Sequence, residues 1–437
     1  MDKISQYNFK VEYNNNILLY NTLTNALICL TKIEYEEIQY LMENITELKN
    51  EYPILYKSLK EAGFIIDKDL NELNYIKFQN NLQVYASNYY HITINPTLDC
   101  NLKCWYCSTE FAQAQHCGGM SKEVIDNIIA HFKYIVENQK ATRIHLDWFG
   151  GEPSMYFDEV IEPISSYVNE LVIKNNIAFT QHITTNATLF DATRIQRMRE
   201  LNFTSFQIPI DGNEKKHNLV KHFENKEGTY KQVISSINMI AEAIPDVKIT
   251  LRINYDLQTL KHICDIIDDI HQDNRKSITV DFQKVWQIYG NKESESLLHE
   301  AKELFRLNGL NSNFWAWRPG AFYRCYSDRL KHYAINYNGK IFKCTAQDYG
   351  DDKVIGELLS DGMIKWNIAL LSNLFSQSTF ENERCLQCIK LPVCMGPCIS
   401  ANYKSRKNKT PLPCLGDNVQ YSLADFVIEE AKKRELL

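Results

Sequence analysis

Three cysteines, Cys100, Cys104 and Cys107, have the spacing C-x3-C-x2-C. They follow a predicted strand, His91 to Ile94, on a loop where three thiolates can converge on one metal centre. A structural zinc site prefers four protein ligands, and Cys117 or a nearby histidine is the available fourth. Three thiolates around a four-iron cluster instead leave one iron open for a substrate or cofactor. The spacing therefore predicts an iron–sulfur cluster, with a zinc knuckle as the alternative.

The chain contains 13 cysteines in all. Seven of them form a second group in its C-terminal part. It consists of Cys325, Cys344, Cys385, Cys388, Cys394, Cys398 and Cys414. The N-terminus has no apolar segment typical of an export signal, so we expect a cytoplasmic protein. Structural disulfides are disfavoured in the reducing cytosol, and clustered cysteines there bind metal more often. The group predicts further metal sites, either iron–sulfur clusters or a pair of zinc sites.

The triplet resembles the signature of the radical S-adenosylmethionine (radical SAM) superfamily, with Tyr106 as the aromatic residue before its last cysteine. Gly150-Gly151-Glu152-Pro153 follows the second predicted strand, Arg143 to Asp147, and resembles the GGEP motif of the same superfamily. The resemblance implies a [4Fe–4S] cluster whose open iron is chelated by S-adenosyl-L-methionine. One electron then cleaves this cofactor to methionine and a 5′-deoxyadenosyl radical.

The GGEP segment has a readable physical role. Two glycines allow the backbone to approach a ligand closely, and Glu152 offers a carboxylate to the methionine ammonium. Gly150, Gly151, Glu152 and Pro153 are therefore predicted to bind the cofactor, as is Tyr106 by its place in the signature.

Other cofactor-binding positions lie where later strands end. The resemblance implies this role for Thr185 and Asn186 after the third strand, Asp211 after the fourth and Arg252 in the fifth. The family often has serine two residues before the Asp-Gly pair, where this chain has Pro209, so the sequence departs from the family pattern at a position of expected ribose contact. Alternatively, Asp211 caps the following segment and Arg252 forms a surface salt bridge.

The seven C-terminal cysteines and Gly339 resemble the SPASM domain of radical SAM peptide maturases. This resemblance implies two auxiliary [4Fe–4S] clusters: Cys325, Cys344 and Cys398 for the first, and Cys385, Cys388, Cys394 and Cys414 for the second. A further cysteine that often completes the first cluster is missing, so an open iron or a ligand from elsewhere is expected. Cys117 is a candidate hydrogen-atom donor to a substrate radical, the alternative being a spectator thiol.

Strands and amphipathic helices alternate from about residue 91, which predicts a parallel sheet with right-handed crossovers. We expect an α/β fold, a partial (β/α)6 radical SAM barrel, over residues 83–310. The C-terminal cysteine-rich SPASM domain is expected over residues 311–437. Residues 1–82 contain three short strands, two helices and a wing strand, which predicts a winged-helix-like domain. Its last part, 67–81, is expected to be a polar linker.

The N-terminal domain resembles the leader-recognition element of maturases that modify ribosomally made peptides. Such elements bind an extended leader as an added strand. The resemblances together imply a ribosomally synthesised precursor peptide as substrate, and an electron donor such as flavodoxin or ferredoxin. A structural cap on the barrel is the alternative for residues 1–82.

The bulk composition is typical of a globular protein, with 44% hydrophobic residues, a net charge of −6 and a pI near 6.0. These values give no reason to expect nucleic-acid binding, and no apolar run is long enough to span a membrane. The predicted reaction joins a core-peptide radical to a nearby group as a thioether or C–C cross-link. Peptide epimerisation and formylglycine formation in a sulfatase are alternatives, and a zinc-bound peptide-binding protein without catalysis is the alternative of another class.

Overall fold

The computed structural model describes residues 2–107, 117–285, 287, 292–312, 317–417 and 421–437. The chain divides into two compact units. The outer unit contains Met1–Ser87, Phe314–Leu330 and Asn373–Leu437, and the barrel unit contains Asn88–Asn313 and Lys331–Ser372. No helix among the described residues has the length and apolar character needed to cross a membrane.

The N-terminal part of the outer unit contains five strands and four helices. They are β1 (Asp2–Ile4), β2 (Asn8–Tyr13), β3 (Asn16–Asn21), β4 (Leu27–Thr31), α1 (Lys32–Glu43), α2 (Ile45–Glu51), α3 (Pro53–Glu61), β5 (Ile65–Asp67) and α4 (Glu72–Asn81). Strands β2, β3 and β4 form an antiparallel sheet with β3 in the centre, and β5 pairs with β1. The expected capping box begins α1, because Thr31 and Glu34 exchange hydrogen bonds.

The polar segment expected to be a linker is largely helical, so that expectation is wrong. Asn71 caps α4 through a hydrogen bond to the Asn74 N–H. Ile76 is fully buried in an apolar cluster with Tyr7 and with residues far along the chain, and the Glu72 carboxylate accepts a hydrogen bond from Ser5. Tertiary packing of this one face therefore stabilises a helix whose own sequence is mostly polar.

The barrel unit contains the remaining strands and most of the remaining helices. Its strands are β6 (Tyr89–Ile94), β7 (Arg143–Trp148), β8 (Ala178–Thr184), β9 (Phe203–Ile210), β10 (Lys248–Tyr255), β11 (Ile278–Lys284), β12 (Asn311–Ser312), β13 (His332–Ile335), β14 (Lys340–Phe342), β15 (Gly356–Leu358) and β16 (Ile364–Trp366). Its helices are α5 (Lys122–Glu137), α6 (Glu162–Lys174), α7 (Ala192–Glu200), α8 (Glu214–Val220), α9 (Tyr230–Ala243), α10 (Leu257–His262) and α11 (Lys292–Leu307), with α12 (Ile368–Phe375) at the unit boundary.

Strands β6 to β11 are parallel neighbours in chain order, which confirms the expected α/β partial barrel. One face of this sheet is apolar and fully buried, as at Leu146 and Trp148 in β7. The other face alternates with it and is polar and half-buried, as at His145 and Asp147. The barrel therefore presents a polar inner face beneath the ends of its strands.

The compact units differ from the three consecutive domains expected from the sequence. Strand β13 pairs in parallel with β6, and the hairpins of β14, β15 and β16 continue the sheet from there. Residues 331–372 therefore belong to the barrel unit, although they are part of the C-terminal cysteine-rich segment. The rest of that segment contains α13 (Glu383–Leu386), α14 (Leu391–Cys394), α15 (Ile399–Lys407) and α16 (Leu423–Lys433), and it shares a core with the N-terminal sheet.

Candidate active site

The predicted cofactor-binding segments lie at one edge of the barrel sheet. The cysteine triplet follows β6, the GGEP segment follows β7, Thr185 and Asn186 follow β8, and Asp211 follows β9. Because these strands are parallel, their carboxyl ends meet at the same edge. The local sequence therefore places these side chains close together once the sheet has formed.

The two glycines of the GGEP segment pack its backbone against the loop that carries the cysteine triplet. Gly150 has φ +121°, and a Cβ there would lie 2.2 Å from the carbonyl oxygen of Thr97. A Cβ at Gly151 would lie 2.0 Å from the carbonyl oxygen of Asp99. The Gly151 N–H donates to Thr97 and the Glu152 N–H donates to Asp99, at 3.1 and 2.8 Å. The glycines thus permit a close approach of this backbone to the cysteine loop, and their predicted contact with the cofactor stays a prediction.

Glu152 lies at the centre of a dense hydrogen-bond network and is almost completely buried. Its Oε1 accepts from the Ser154 N–H and hydroxyl and from the Thr185 hydroxyl, at 3.0, 2.5 and 2.7 Å. Its Oε2 accepts from the Asn186 N–H at 2.7 Å. Burial raises the pKa of Glu152, although these donors oppose the shift. Among the described residues Oε2 has one hydrogen-bond donor, which leaves it a lone pair for the predicted ammonium contact.

The three triplet thiols lie in one electrostatic environment, and two of them receive hydrogen bonds. Burial raises the pKa of Cys100 to about 12, and Glu152, Cys104 and Cys107 also contribute. The Asn186 side-chain amide donates to the Cys100 sulfur at 3.8 Å, and the Lys221 ammonium donates to the Cys104 sulfur at 3.5 Å. Buried thiols that lie close to one another and accept hydrogen bonds from N–H groups suit a set of metal-bound thiolates. The donor set therefore fits an iron–sulfur cluster.

Lys221 is a functional candidate that the sequence did not indicate. Its ammonium lies 3.5 Å from an Asp211 carboxylate oxygen and 5.3 Å from the centre of the Tyr106 ring. Burial lowers the pKa of Lys221, but Asp211, Tyr106 and Cys104 outweigh this and raise it well above its usual value. Lys221 is therefore charged, and it joins the loop after β9 to the cysteine triplet.

Tyr106 and Asp211, both predicted cofactor-binding residues, are in direct contact. The Tyr106 hydroxyl donates to Asp211 at 2.6 Å and accepts from the Asn254 side chain at 3.0 Å. Arg252 donates to Asn254 at 3.0 Å. One polar chain thus runs from Arg252 on β10 to Lys221 beside the cysteine triplet. The structure brings these residues together, and their contact with the cofactor stays a prediction.

Cys117 packs beside the start of the cysteine loop. Its sulfur accepts from the Leu98 N–H at 3.3 Å, and its own N–H donates to Asp99 at 2.9 Å. It contacts the apolar cluster of Leu98, Ala334, Phe342 and Tyr349. These contacts fit a residue that supports the loop, and its predicted role as a hydrogen-atom donor stays a prediction.

Two cysteines expected to bind the first auxiliary cluster are held together by Asp328 in the outer unit. Its Oδ2 accepts from the Cys325 N–H and its Oδ1 from the N–H of Ile399, which follows Cys398, each at 2.9 Å. Burial lowers the pKa of Arg324, whereas the nearby Cys394, Cys325 and Cys398 raise it. A buried guanidinium suits a site of thiolate charge. The third expected ligand, Cys344, follows β14 in the barrel unit.

The four cysteines expected to bind the second auxiliary cluster all lie in the outer unit. Burial raises the pKa of Cys385, with contributions from Cys394, Cys388 and Cys414. The Cys388 N–H donates to the Cys385 carbonyl at 3.2 Å, which closes the turn between them. Cys394, Cys388 and Cys414 are thus close enough to Cys385 to affect its pKa. Four neighbouring thiols fit a [4Fe–4S] cluster as a donor set.

Comparisons with known proteins agree with this geometry. Residues 94–270 match the family model of the Radical SAM superfamily. No curated protein gives a significant match. Among solved structures, native anSMEcpe with bound AdoMet has a TM-score of 0.57 and 17% identity, covering 79% of this chain and 97% of that one. SuiB of Streptococcus suis bound to its precursor peptide SuiA has a TM-score of 0.52 and 17% identity, covering 94% and 98%.

The matched residues 94–270 include the cysteine triplet, the GGEP segment and Asp211. They also span β7 to β10 and the helices between those strands. A [4Fe–4S] cluster and S-adenosylmethionine are the cofactors of this superfamily. The chain therefore contains a radical SAM domain over residues 94–270, and the three triplet cysteines lie at the mouth of its partial barrel.

Proposed function

We propose that this enzyme modifies a ribosomally synthesised precursor peptide and forms a thioether or C–C cross-link in it. The observation that carries the proposal is the antiparallel sheet of β2, β3 and β4 in the outer unit, which has an unpaired edge strand. Two structurally similar proteins were solved with peptides: anSMEcpe with a Cp18Cys peptide and SuiB with the precursor peptide SuiA. A peptide substrate is therefore the class that both the fold and the outer unit favour.

Strand β4 offers its outer edge for peptide pairing. It pairs only with β3 among the described strands, and its residues are half-buried rather than buried. The Asn21 N–H donates to the Ala26 carbonyl at 2.9 Å, so these two residues form a hydrogen-bonded pair. Antiparallel ladders alternate, so the N–H and C=O of Cys29 point away from β3. An extended leader can add there as a further strand.

The polar inner face of the barrel is the proposed place for the core peptide. Ordinary (β/α) barrels fill this space with branched apolar side chains. Here β7, β8 and β10 instead present half-buried polar residues, among them His145, His182 and Arg252. Side chains of this kind can orient a peptide and exclude bulk water from it.

The bound cluster and S-adenosylmethionine supply a 5′-deoxyadenosyl radical that abstracts hydrogen from the substrate. The chain's own residues prepare the site for this chemistry. Asn186 and Lys221 donate to the Cys100 and Cys104 sulfurs. In the holoenzyme these donors would stabilise negative charge on the cluster that the triplet would hold. Glu152 is fixed by Thr185 and Asn186 and offers Oε2 to the methionine ammonium.

The auxiliary cysteine groups are proposed to hold two [4Fe–4S] clusters. These clusters would supply an acceptor for the electron that a substrate radical releases on cross-linking. A flavodoxin or ferredoxin is the proposed source of the electron that starts each turnover. The thirteen cysteines all lie in the described residues, and none of them forms a disulfide bond there. Thiol ligands of this number require a reducing compartment, and we therefore propose a cytoplasmic location.

The first test of the proposal is cofactor cleavage and peptide mass. Anaerobically reconstituted protein with dithionite should convert S-adenosylmethionine to methionine and 5′-deoxyadenosine, and Cys104→Ala should abolish this conversion. A precursor peptide encoded beside this chain and co-expressed with it should lose two hydrogen atoms per cross-link. A peptide whose mass is unchanged in H2O, and which takes up deuterium at Cα in D2O, would contradict cross-linking and indicate epimerisation.

A second test isolates leader binding. Proline at Cys29 removes an N–H that points away from β3, so the sheet should form and the added strand should not. Cys29→Ala is the matched control, because it loses the same thiol and keeps the N–H. We expect Cys29→Pro to lose peptide binding in fluorescence anisotropy, while both variants cleave S-adenosylmethionine at the wild-type rate. Equal peptide affinity of the two variants would refute strand addition at β4.

A further inference from the structure

Two histidines and an aspartate converge on the polar inner face of the barrel. His91 lies in β6, and His145 and Asp147 lie in β7. His91 and His145 are directly opposite each other in the parallel register, and Asp147 is the next residue on the same face. The side chains are only 12% to 19% exposed. The strand register therefore holds three potential metal ligands side by side.

The separations of the ligand atoms suit one small cation. Asp147 Oδ2 lies 3.0 Å from His91 Nε2, and Asp147 Oδ1 lies 3.6 Å from His145 Nε2. One ligand atom from each residue can be chosen so that all lie within 4.8 Å of one another. A tetrahedral zinc ion with bonds of about 2.0–2.1 Å has ligand atoms about 3.3 Å apart. The two measured distances lie on either side of that value.

One imidazole is already oriented as metal-bound histidines are. The ring of His145 contacts the Thr180 hydroxyl through Nδ1 at 2.7 Å, which leaves Nε2 facing Asp147. Histidine ligands commonly use their second nitrogen in this way, because the outer contact fixes the ring and the tautomer. Asp147 Oδ1 is buried, and no donor of the described residues has both the distance and the angle of a hydrogen bond to it. Both observations point to a ligand between His145 and Asp147.

A further histidine ring, that of His332, lies beside the group. The ring of His91 packs edge-on against His145 and against His332, with centroid distances of 4.6 Å in each case. Several imidazoles around one carboxylate offer lone pairs to a cation. One divalent metal ion is better accommodated among them than several protonated imidazoles would be.

We propose that His91, His145 and Asp147 bind a divalent first-row transition metal ion on the inner face of the barrel. Two imidazoles and one carboxylate are ligands that Zn²⁺ and Fe²⁺ share, and they leave coordination positions open. His91 lies about 10 Å before the end of β6, at roughly 3.3 Å per residue. This ion is therefore distinct from the cluster that the triplet holds, and its open positions face the space proposed for the core peptide. The metal site does not depend on which substrate the enzyme modifies.

The test uses the anaerobically reconstituted holoenzyme, dialysed with Zn²⁺ and then against a weak chelator. We expect the protein to retain about one Zn²⁺ per chain, with N and O neighbours near 2.0 Å and no sulfur near 2.3 Å in the zinc X-ray absorption spectrum. Zinc that is surrounded by sulfur, or is removed completely by the chelator, would overturn the proposal on the wild-type protein alone. The sulfur distance separates this site from zinc misplaced at the cysteines.

Variants locate the ion. His145→Ala and Asp147→Asn should each lower zinc retention at least tenfold without changing the iron content per chain. His271→Ala is the matched control, because this histidine also contacts a carboxylate, Glu242 at 2.9 Å, but is 63% exposed on the surface. Zinc retention that is unchanged in both inner-face variants would refute the assignment. Unchanged iron shows that a loss of zinc does not reflect unfolding of the barrel.

Discussion

Replacing Lys221 with methionine tests the buried ion pair beside the cysteine triplet. Methionine keeps most of the volume of the lysine side chain but leaves the Asp211 carboxylate buried without its cation. At the observed separation of 3.5 Å, the attraction between these charges is about 5 kcal/mol at an effective dielectric constant of about 20. Removing one partner of a buried pair typically destabilises a protein by about 3–5 kcal/mol. We expect Lys221→Met to lower the free energy of unfolding by that amount.

The effect should depend on pH in a defined direction. Burial raises the pKa of Asp211, although Lys221 and Tyr106 oppose the shift, and loss of the lysine raises it further. A carboxyl group whose pKa is raised in the folded state stabilises the fold at pH values below its unfolded-state pKa of about 4. This contribution is lost as the pH rises through the folded-state pKa. The deficit of Lys221→Met should therefore be largest near neutral pH and smaller in mild acid, where Asp211 takes up a proton.

The assay is urea unfolding of the cluster-free protein under anaerobic conditions, followed by circular dichroism at two pH values. Lys216→Met is the matched control, because its ion pair with Asp256, at 2.6 Å, is more exposed and should contribute about 1 kcal/mol or less. The double variant Lys221→Met with Asp211→Asn should recover most of the loss. Equal unfolding midpoints for wild type and Lys221→Met at both pH values would refute the buried ion pair.

Three further predictions test other parts of the structure. Gly151→Ala should prevent the cysteine loop from closing, because the new Cβ would lie 2.0 Å from the Asp99 carbonyl oxygen, and iron in the triplet cluster should fall severalfold by Mössbauer spectroscopy. Asp328→Asn converts a carboxylate that accepts backbone N–H groups, including that of Cys325, into an amide. The iron content should therefore fall by about one [4Fe–4S] cluster per chain. Burial lowers the pKa of His131 to about 4, so stability should fall by about 3 kcal/mol between pH 6.5 and 4 in urea titrations, and His131→Asn should lose this dependence.

Each of these predictions has an outcome that contradicts it. Gly350 has an ordinary φ of −67°, and a Cβ there meets only side-chain oxygens, so Gly350→Ala should reconstitute normally. Equal iron in Gly151→Ala and Gly350→Ala would show that the close backbone packing is dispensable. Full auxiliary iron in Asp328→Asn would show that its carboxylate does not position the cluster ligands. An unchanged pH dependence in His131→Asn would assign that dependence to other groups.

The convergence of the active-site segments could be predicted from the sequence for a geometric reason. A motif at the carboxyl end of one parallel strand must lie beside motifs at the ends of its neighbours. The sequence therefore predicts that the cysteine triplet, Glu152 and Asp211 lie at one edge of the sheet. The strand alternation that implies this sheet is a local pattern, and local patterns survive folding unless tertiary packing opposes them.

Lys221 could not be predicted, because its role depends on its surroundings. A lysine near the end of a short helix is ordinarily a solvent-exposed residue. Its burial follows from the position of Asp211, ten residues earlier in the chain, and from Tyr106, more than a hundred residues earlier. The ion pair is thus a property of the folded loops that meet after β6 and β9, and no short sequence window contains it.

The helical state of α4 and the pairing of β13 with β6 escaped prediction for a related reason. Ile76 is buried by Leu391 and Met395, and β13 joins a strand some 240 residues earlier. Both depend on contacts between segments that are remote in the chain. The polar positions of β6 to β8 repeat histidine on the inward face, as His91, His145 and His182. In a barrel whose inner face is usually apolar, that repetition indicates a functional surface, and it is where the proposed metal site lies.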